Sequence, residues 1–197
     1  MPPRPAYTRD HSYHFYNRGA HRVSIFREPE NYLFVLRKLK HYCAELSLMP
    51  LAYCLLPNHY HFFIRQDGEQ PAGMLPQLIF NSYTKAYNKR YEHSGTLFES
   101  EYKVVEVKTE AHLLTLCRYI HCNPVKHGLV ETLDEWPYSN YLEWTEERPG
   151  TLVDRDFIRL YYPTGQAYRE EIQAYLREWK REAALEYLEA FEVGCTF

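Results

Sequence analysis

The sequence lacks the features that mark membrane-spanning, secreted and disulfide-stapled proteins. No apolar run approaches the roughly 18 residues that a bilayer-spanning helix needs. The first residues carry no apolar core of a signal peptide. The 5 cysteines are odd in number and form no CxxC pair, which is typical of reduced, buried thiols. We therefore expect a cytoplasmic protein with no membrane partner.

The chain also lacks Gly/Ser-rich linkers, low-complexity tracts and internal repeats. It has 197 residues, of which 45% are hydrophobic and 25% charged, so it is predicted to be globular throughout. This length is enough for one domain with a proper core and an appendage. We predict a first domain over residues 1–145 and a C-terminal helical extension over residues 146–197.

The net charge of -3 hides an asymmetry along the chain. Residues 1–130 carry 16 Lys and Arg against 11 Asp and Glu, a net of +5, and residues 131–197 carry 7 against 15, a net of -8. A basic first part fits a polyanionic partner. An excess this small is also compatible with a chance distribution of solvated charges. The acidic part fits a solvated helix face or a segment that covers a site.

Hydrophobic periodicity predicts an α+β fold. Strands are predicted at residues 12–18, 49–56, 59–65 and 98–108, and helices at residues 30–46, 75–90 and from Thr109 to near Asn123, where Pro124 follows. The order β-α-β-β-α-β followed by a helix is the ferredoxin-like, split βαβ arrangement. It places the first and third strands side by side at the centre of an antiparallel sheet. Further helices are predicted near residues 154–160 and from 168 to about 191.

The third strand opens with two histidines one residue apart. Side chains alternate along a strand, so His59 and His61 point one way while Tyr60 and Phe62 point the other. Two neighbouring imidazoles in a sheet commonly hold a divalent metal. The alternative is two unrelated histidines, one in a turn after Pro57 and one hydrogen-bonded. The spacing alone does not decide between them.

The third helix carries polar side chains in a stripe beside its apolar face. His112, Thr115, Tyr119 and Asn123 are spaced by 3, 4 and 4 residues. A tyrosine that attacks a phosphodiester gives a covalent phosphotyrosine, and an asparagine can offer a metal its amide oxygen. Such a reaction needs a cation on the phosphate oxygens. The alternative is that Tyr119 is a half-buried aromatic side chain of an amphipathic helix.

Four segments, in this order, resemble the HUH-type single-tyrosine transposases, in particular the REP-associated tyrosine transposase branch. They are YHFYNRG at residues 13–19, LPNHYHFFI at 56–64, YNKR with SGTLFE at 87–90 and 94–99, and RYIHCNPVKHGLV with WPYS at 118–130 and 136–139. Each segment alone is a weak signal, and the four together are specific. The resemblance covers about residues 12 to 141.

The resemblance implies a role for each matching residue. His59 and His61 would be two metal ligands, Tyr119 the nucleophile and Asn123, one helical turn further on, the third ligand. It implies Mg²⁺ or Mn²⁺ as the cofactor, and a ligand set with two nitrogens favours Mn²⁺ or a later transition metal over Mg²⁺. The implied activity is a metal-dependent endonuclease and strand transferase acting through a 5′-phosphotyrosine.

The implied partner is single-stranded DNA that forms a hairpin, bound by a monomer or a homodimer. In this interpretation seven basic residues are candidates for phosphate contacts: Arg18, Arg22, Lys85, Lys89, Arg90, Lys103 and Lys126. Two other interpretations stay open. A hairpin-binding protein without turnover would not need His59, His61 and Tyr119 together. A zinc hydrolase would need a third histidine or a carboxylate as ligand and would form no covalent intermediate.

Overall fold

The computed structural model describes residues 4–178. Its strands are β1 (Ser12–Arg18), β2 (Leu48–Leu56), β3 (His59–Gln66) and β4 (Lys103–Val107), and its helices are α1 (Pro29–Glu45), α2 (Met74–Tyr91), α3 (Glu110–Lys126), α4 (Tyr141–Trp144), α5 (Arg155–Tyr161) and α6 (Gly165–Glu178). The strands form one antiparallel sheet in the order β2-β3-β1-β4. The predicted α+β fold with the first and third strands at its centre is confirmed.

The sheet separates two hydrophobic cores. Tyr60 and Phe62 of β3 point into the core that the sheet forms with α1 and α2. Phe63 points into the other core, where Leu116 and Ile120 of α3 pack with residues of α4 to α6. Both faces of the sheet are therefore covered, and any polar group on the second face must lie beneath α3.

The fourth strand is shorter than predicted. β4 begins at Lys103, and Phe98 makes only an isolated bridge with Gly19. Between these two points the Asn17 amide donates a hydrogen bond of 2.9 Å to the Ser100 carbonyl oxygen. One backbone bond, from Glu99 N–H to the Arg18 carbonyl oxygen at 3.0 Å, also joins this stretch to β1. The prediction of a strand from residue 98 was wrong, because regular pairing with β1 is interrupted between Phe98 and Lys103.

The third helix is longer than predicted and runs through Pro124 to Lys126. Thr109 is its N-cap and accepts a hydrogen bond from the backbone N–H of His112, as expected. A proline in a helix removes one backbone hydrogen bond, but this one lies in the last turn. The chain then leaves through Gly128, whose φ of +64° is the left-handed conformation that glycine adopts freely. The helix therefore keeps residues 124–126 on the same face of the sheet as Tyr119.

The C-terminal elements lie close to their predicted positions. Asp154 caps α5 by accepting a hydrogen bond of 2.9 Å from the backbone N–H of Phe157. The last predicted helix begins at Gly165 and is described to Glu178, so its predicted part after residue 178 lies outside the described residues. Within residues 4–178 no helix is both long enough and apolar enough to cross a membrane.

Gly19 allows the chain to turn tightly after β1. Its backbone N–H donates a hydrogen bond of 2.7 Å to the carbonyl oxygen of Asn58, next to His59. A Cβ at this position would lie 2.3 Å from the Val23 carbonyl oxygen. We expect Gly19→Ala to lower the free energy of unfolding by about 2 kcal/mol, as overpacking usually does. Urea denaturation measures this loss.

Gly95→Ala is the control for this substitution. A Cβ there meets no atom within 4 Å, so the variant bears only the cost of its φ of +94°. We expect a smaller loss, of about 1 kcal/mol. Equal stability of Gly19→Ala and the native protein would contradict the steric account.

Candidate active site

Pairing between the strands puts the two predicted histidine ligands on one face of the sheet. His61 lies opposite Tyr16 of β1, and His59 lies opposite Arg18. The two imidazole ring centres are 5.2 Å apart and the rings are nearly perpendicular. Two imidazoles that share one ion at the usual metal–nitrogen distance of about 2.1 Å have ring centres about 5 Å apart. The spacing therefore suits a common ligand.

Each histidine has its Nδ1 in a hydrogen bond. His59 Nδ1 lies 2.6 Å from the Asn58 amide oxygen. An amide oxygen only accepts, so Nδ1 carries the proton and Nε2 of the neutral ring has a lone pair to offer. His61 Nδ1 lies 3.0 Å from Nε2 of His14. His61 Nε2 is buried and has no hydrogen-bond partner in residues 4–178.

Burial keeps these imidazoles neutral. Burial, followed by the nearby His127 and Arg18, lowers the pKa of His59 to about 3. Burial also lowers the pKa of His61 well below its ordinary value, with His14 as the next cause. Neutral imidazole is the form that binds metals. The site therefore offers two nitrogen ligands without first releasing protons near neutral pH.

Tyr119 and Asn123 reach the same place from α3. The Tyr119 ring stands edge-on to His61 with the ring centres 5.5 Å apart. Asn123 Nδ2 donates a hydrogen bond of 2.7 Å to the Tyr119 carbonyl oxygen. This bond turns Asn123 Oδ1 away from its own helix, and Oδ1 is buried with no hydrogen-bond partner in the described part of the chain. The amide lies beside His59, close enough to raise the pKa of that ring slightly.

The donor set fits a divalent cation. Two buried polar atoms, His61 Nε2 and Asn123 Oδ1, have no hydrogen-bond partner in residues 4–178, and His59 adds a second imidazole. Buried polar atoms without a partner are costly unless something binds them. Among the described residues no group of three His, Cys, Asp or Glu side chains is arranged to hold a metal. A metal here would thus take its third protein ligand from Asn123.

Three of the seven predicted phosphate-binding residues lie around this group. Arg18 lies opposite His59 and forms a bidentate ion pair with Glu99 at 3.0 and 3.1 Å. Lys126 Nζ is 5.2 Å from the centre of the Tyr119 ring. Lys103 pairs with Tyr16 in the sheet and so shares the histidines' face.

The other four basic residues lie in the turn after β1 and on α2. Arg22 is exposed in the 3₁₀ turn Ala20–Arg22, where its φ is +61°. Lys85, Lys89 and Arg90 belong to α2, which packs on the opposite face of the sheet. Arg90 forms an ion pair with Glu28. The charged rim of the site therefore consists of Arg18, Lys103 and Lys126.

Two further histidines adjoin the site and were not predicted to do so. His14 contacts His61, and the His127 ring lies 5.0 Å from the His59 ring, centre to centre. The alternation of β1, which puts residues 14, 16 and 18 on one face, is a signal that could have placed His14. His127 follows Asn123 by 4 residues and continues the polar stripe of the helix, but it was missed because the predicted helix stopped before Pro124.

Comparison with known proteins adds a family match and similar structures. Residues 7–123, which include all four site residues, match the model of the family described as IS200-like transposases. A Haemophilus influenzae protein, provisionally named a REP-associated tyrosine transposase, is 26% identical over 113 residues. That alignment covers 52% of this chain and 64% of the relative, so it spans less than two thirds of the relative's length.

Two solved structures match this chain to different degrees. The structure of a REP-associated tyrosine transposase bound to a REP hairpin matches with a TM-score of 0.63 and 16% identity, covering 79% of this chain and 98% of the other. A provisionally named transposase from Deinococcus radiodurans R1 gives a TM-score of 0.42 at 15% identity, covering 61% and 95%. At these identities the first match shows the fold alone, and the second carries no argument.

Proposed function

Because this chain belongs to the family of IS200-like transposases, we propose that it is a metal-dependent endonuclease and strand transferase for single-stranded DNA, acting through a 5′-phosphotyrosine. One observation carries the proposal. A tyrosine, two imidazoles and an amide oxygen without a hydrogen-bond partner in residues 4–178 meet between α3 and the sheet. This combination is what nucleophilic attack on a phosphodiester requires.

His59, His61 and Asn123 would hold Mg²⁺ or Mn²⁺. The bound cation would supply charge stabilisation on a non-bridging oxygen of the scissile phosphate. Two nitrogen ligands favour Mn²⁺ over Mg²⁺. The neutral state of the buried imidazoles supports this assignment.

Tyr119 is the nucleophile in this proposal. Its Oη forms a bond to phosphorus while the bond from phosphorus to the 3′ oxygen breaks. The phenol gives up its proton, the departing oxygen becomes a 3′-hydroxyl, and the downstream strand stays on Tyr119 through its 5′ phosphate. Attack by another 3′-hydroxyl reverses these steps and joins two strands. No high-energy cofactor is needed, because the phosphotyrosine retains the bond energy.

The scissile phosphate would enter beside His59. Tyr119 is only 6% exposed, whereas His59, Arg18 and Lys126 are half-buried at the edge of the group. The two cations flank this opening and are placed to bind phosphates on either side of the cleaved bond. Tyr119 and His61 of one chain are already in contact, which supports a site formed within a single chain.

The proposed substrate is a single strand that folds into a hairpin. The relative with the similar fold was solved bound to a REP hairpin. This protein would bind DNA of that type and cut the single-stranded flank. Recognition of a stem through its backbone and a flank through exposed bases is a common division of roles in nucleic-acid binding.

Covalent trapping tests the reaction class. The protein is incubated with hairpin DNA taken from the flanks of its own gene, with Mn²⁺ or with EDTA, and run on denaturing gels. We expect a 3′-labelled strand, but not a 5′-labelled one, to shift by the mass of one protein in Mn²⁺ only. Peptide mapping should place the DNA on Tyr119. Cleavage without an adduct would mean that water attacks, and binding without cleavage would indicate a hairpin-binding protein.

A further inference from the structure

His14 is a buried polar residue that the proposed reaction does not use. It is 1% exposed, lies in the central strand β1 and points to the same face of the sheet as His61. Because Tyr16 stands opposite His61 in the ladder, His14 is the diagonal neighbour of His61. The two imidazole rings stack with their centres 5.2 Å apart and an angle of 20° between their planes.

The contact between the two rings determines which nitrogen of His61 carries the proton. His14 Nε2 and His61 Nδ1 are 3.0 Å apart, so one nitrogen must carry the proton and the other must accept it. If His61 Nδ1 donates, then His61 Nε2 keeps a lone pair. If His14 Nε2 donates, then the His61 proton sits on Nε2 and the ring cannot bind a cation there. The direction of this one hydrogen bond decides whether His61 can act as a ligand.

His59 shows the arrangement that His61 needs. Its Nδ1 donates to the Asn58 amide oxygen, which can only accept, and this fixes the proton away from Nε2. In metal sites, the second nitrogen of a ligating histidine commonly donates to such a partner, which fixes both tautomer and ring orientation. His61 has no carboxylate or amide in that place, and His14 fills it.

We propose that His14 is a positioning residue whose Nε2 accepts the Nδ1 proton of His61, so that His61 presents its Nε2 lone pair to the divalent cation. The inference rests on the proposed function, because it assumes that His61 is a metal ligand. The stacking of the two rings also restricts rotation of His61. His14 itself does not touch the substrate or the cation.

Two substitutions separate the acceptor from the packing. His14→Gln places an amide near the position of Nε2 and keeps an acceptor, whereas His14→Phe keeps the planar bulk and removes it. We expect His14→Phe to bind Mn²⁺ about 10- to 100-fold more weakly than the native protein, as loss of such a partner usually causes. His14→Gln should stay within about 3-fold. His41→Phe is the control for loss of an imidazole, because the His41 side chain is exposed on the outer side of α1.

The second readout is the tautomer of His61, measured by long-range ¹⁵N–¹H NMR in metal-free protein near pH 7.5. We expect the native protein and His14→Gln to hold the His61 proton on Nδ1, and His14→Phe to lose this preference. A proton on Nε2 in the native protein would overturn the proposal, even if His14→Phe fails to fold. Native Mn²⁺ affinity in a folded His14→Phe would also overturn it.

The failure of the proposed function would look different. A native protein that binds Mn²⁺ with His61 protonated on Nδ1, but never forms a DNA adduct, would overturn the reaction and support the role of His14. An adduct that forms normally in His14→Phe, with unchanged Mn²⁺ affinity, would support the reaction and overturn the role of His14.

Discussion

Tyr119→Phe is expected to abolish strand cleavage and adduct formation, with a loss of about 10⁴-fold or more in rate. The substitution removes only the hydroxyl oxygen that would attack phosphorus. The aromatic ring stays, and with it the edge-on contact to His61. DNA binding should therefore remain within a few-fold of the native protein, because the basic rim is unchanged. Single-turnover cleavage and a binding isotherm measure the two quantities separately.

Tyr42→Phe is the matched control. Tyr42 lies on α1, packed on the opposite core, and its loss of a hydroxyl should leave cleavage unchanged. Thermal unfolding of both variants shows whether the fold is intact. Cleavage by Tyr119→Phe at the native rate would exclude Tyr119 as the nucleophile and leave water in that role.

Much of the site's framework follows from local rules. Alternation along a strand put His59 and His61 on one face, and the ferredoxin-like order made β3 a central neighbour of β1. These predictions succeed because the side-chain period of a strand is local, and because the order of elements along the chain leaves few possible topologies. The roles of the site residues stay predictions, since geometry alone does not identify a reaction.

What the sequence could not predict depends on contacts between distant segments. Local preference ended the third helix at Pro124, yet backbone hydrogen bonds after it, such as Leu129 N–H to the Pro124 carbonyl at 2.9 Å, continue the chain smoothly. The position of His127 beside His59 follows from that continuation. Likewise the contact between His14 and His61 needs the register of two strands that are 47 residues apart.

Charge was the least informative signal. The sequence did not distinguish the seven basic residues, and the fold places three of them around the site, three on α2 and Arg22 in the turn after β1. Arg90 neutralises Glu28, and Arg18 pairs with Glu99 at the entrance of the site. A count of charges cannot separate a residue that meets DNA from one that meets a carboxylate.

The division of the chain at residue 145 also stays a prediction.

Acid is expected to unfold this protein well above the pH at which its carboxylates titrate. His121 is fully buried in α3. Its Nε2–H donates to the Asn140 amide oxygen at 2.9 Å, and its Nδ1 accepts from the Tyr168 hydroxyl at 2.6 Å. Protonation would break the second bond and bury a charge. Burial accordingly lowers the pKa of His121 to about 4, and it lowers the pKa of His14 to about 3.

The sign of the effect follows from linkage. An unfolded histidine titrates near pH 6.5, so below that pH the unfolded chain binds protons that the folded chain refuses. The contribution of these neutral histidines to the free energy of unfolding is fully present above about pH 6.5. It is lost as the pH drops toward their pKa values in the folded protein. Each such histidine contributes a slope of about 1.4 kcal/mol per pH unit, so His121 and His14 together give about 3 kcal/mol per unit, and His59 and His61, whose pKa values are also lowered, add to it. Two units of acidification could remove most of a typical domain's stability.

Urea denaturation of the metal-free protein in EDTA, from pH 7.5 to 4.5, measures this slope. Carboxylates with a lowered pKa, such as Glu106 and Asp134, lose their contribution only below about pH 4.5, outside this window. His121→Gln should reduce the slope by about 1.4 kcal/mol per pH unit, which is the share of one proton, whatever the stability of the variant itself. A free energy of unfolding that stays constant between pH 6.5 and 4.5 would mean that these imidazoles are charged in the fold. The neutral, ligand-ready state assigned to the neighbouring His59 and His61 would then lose its support.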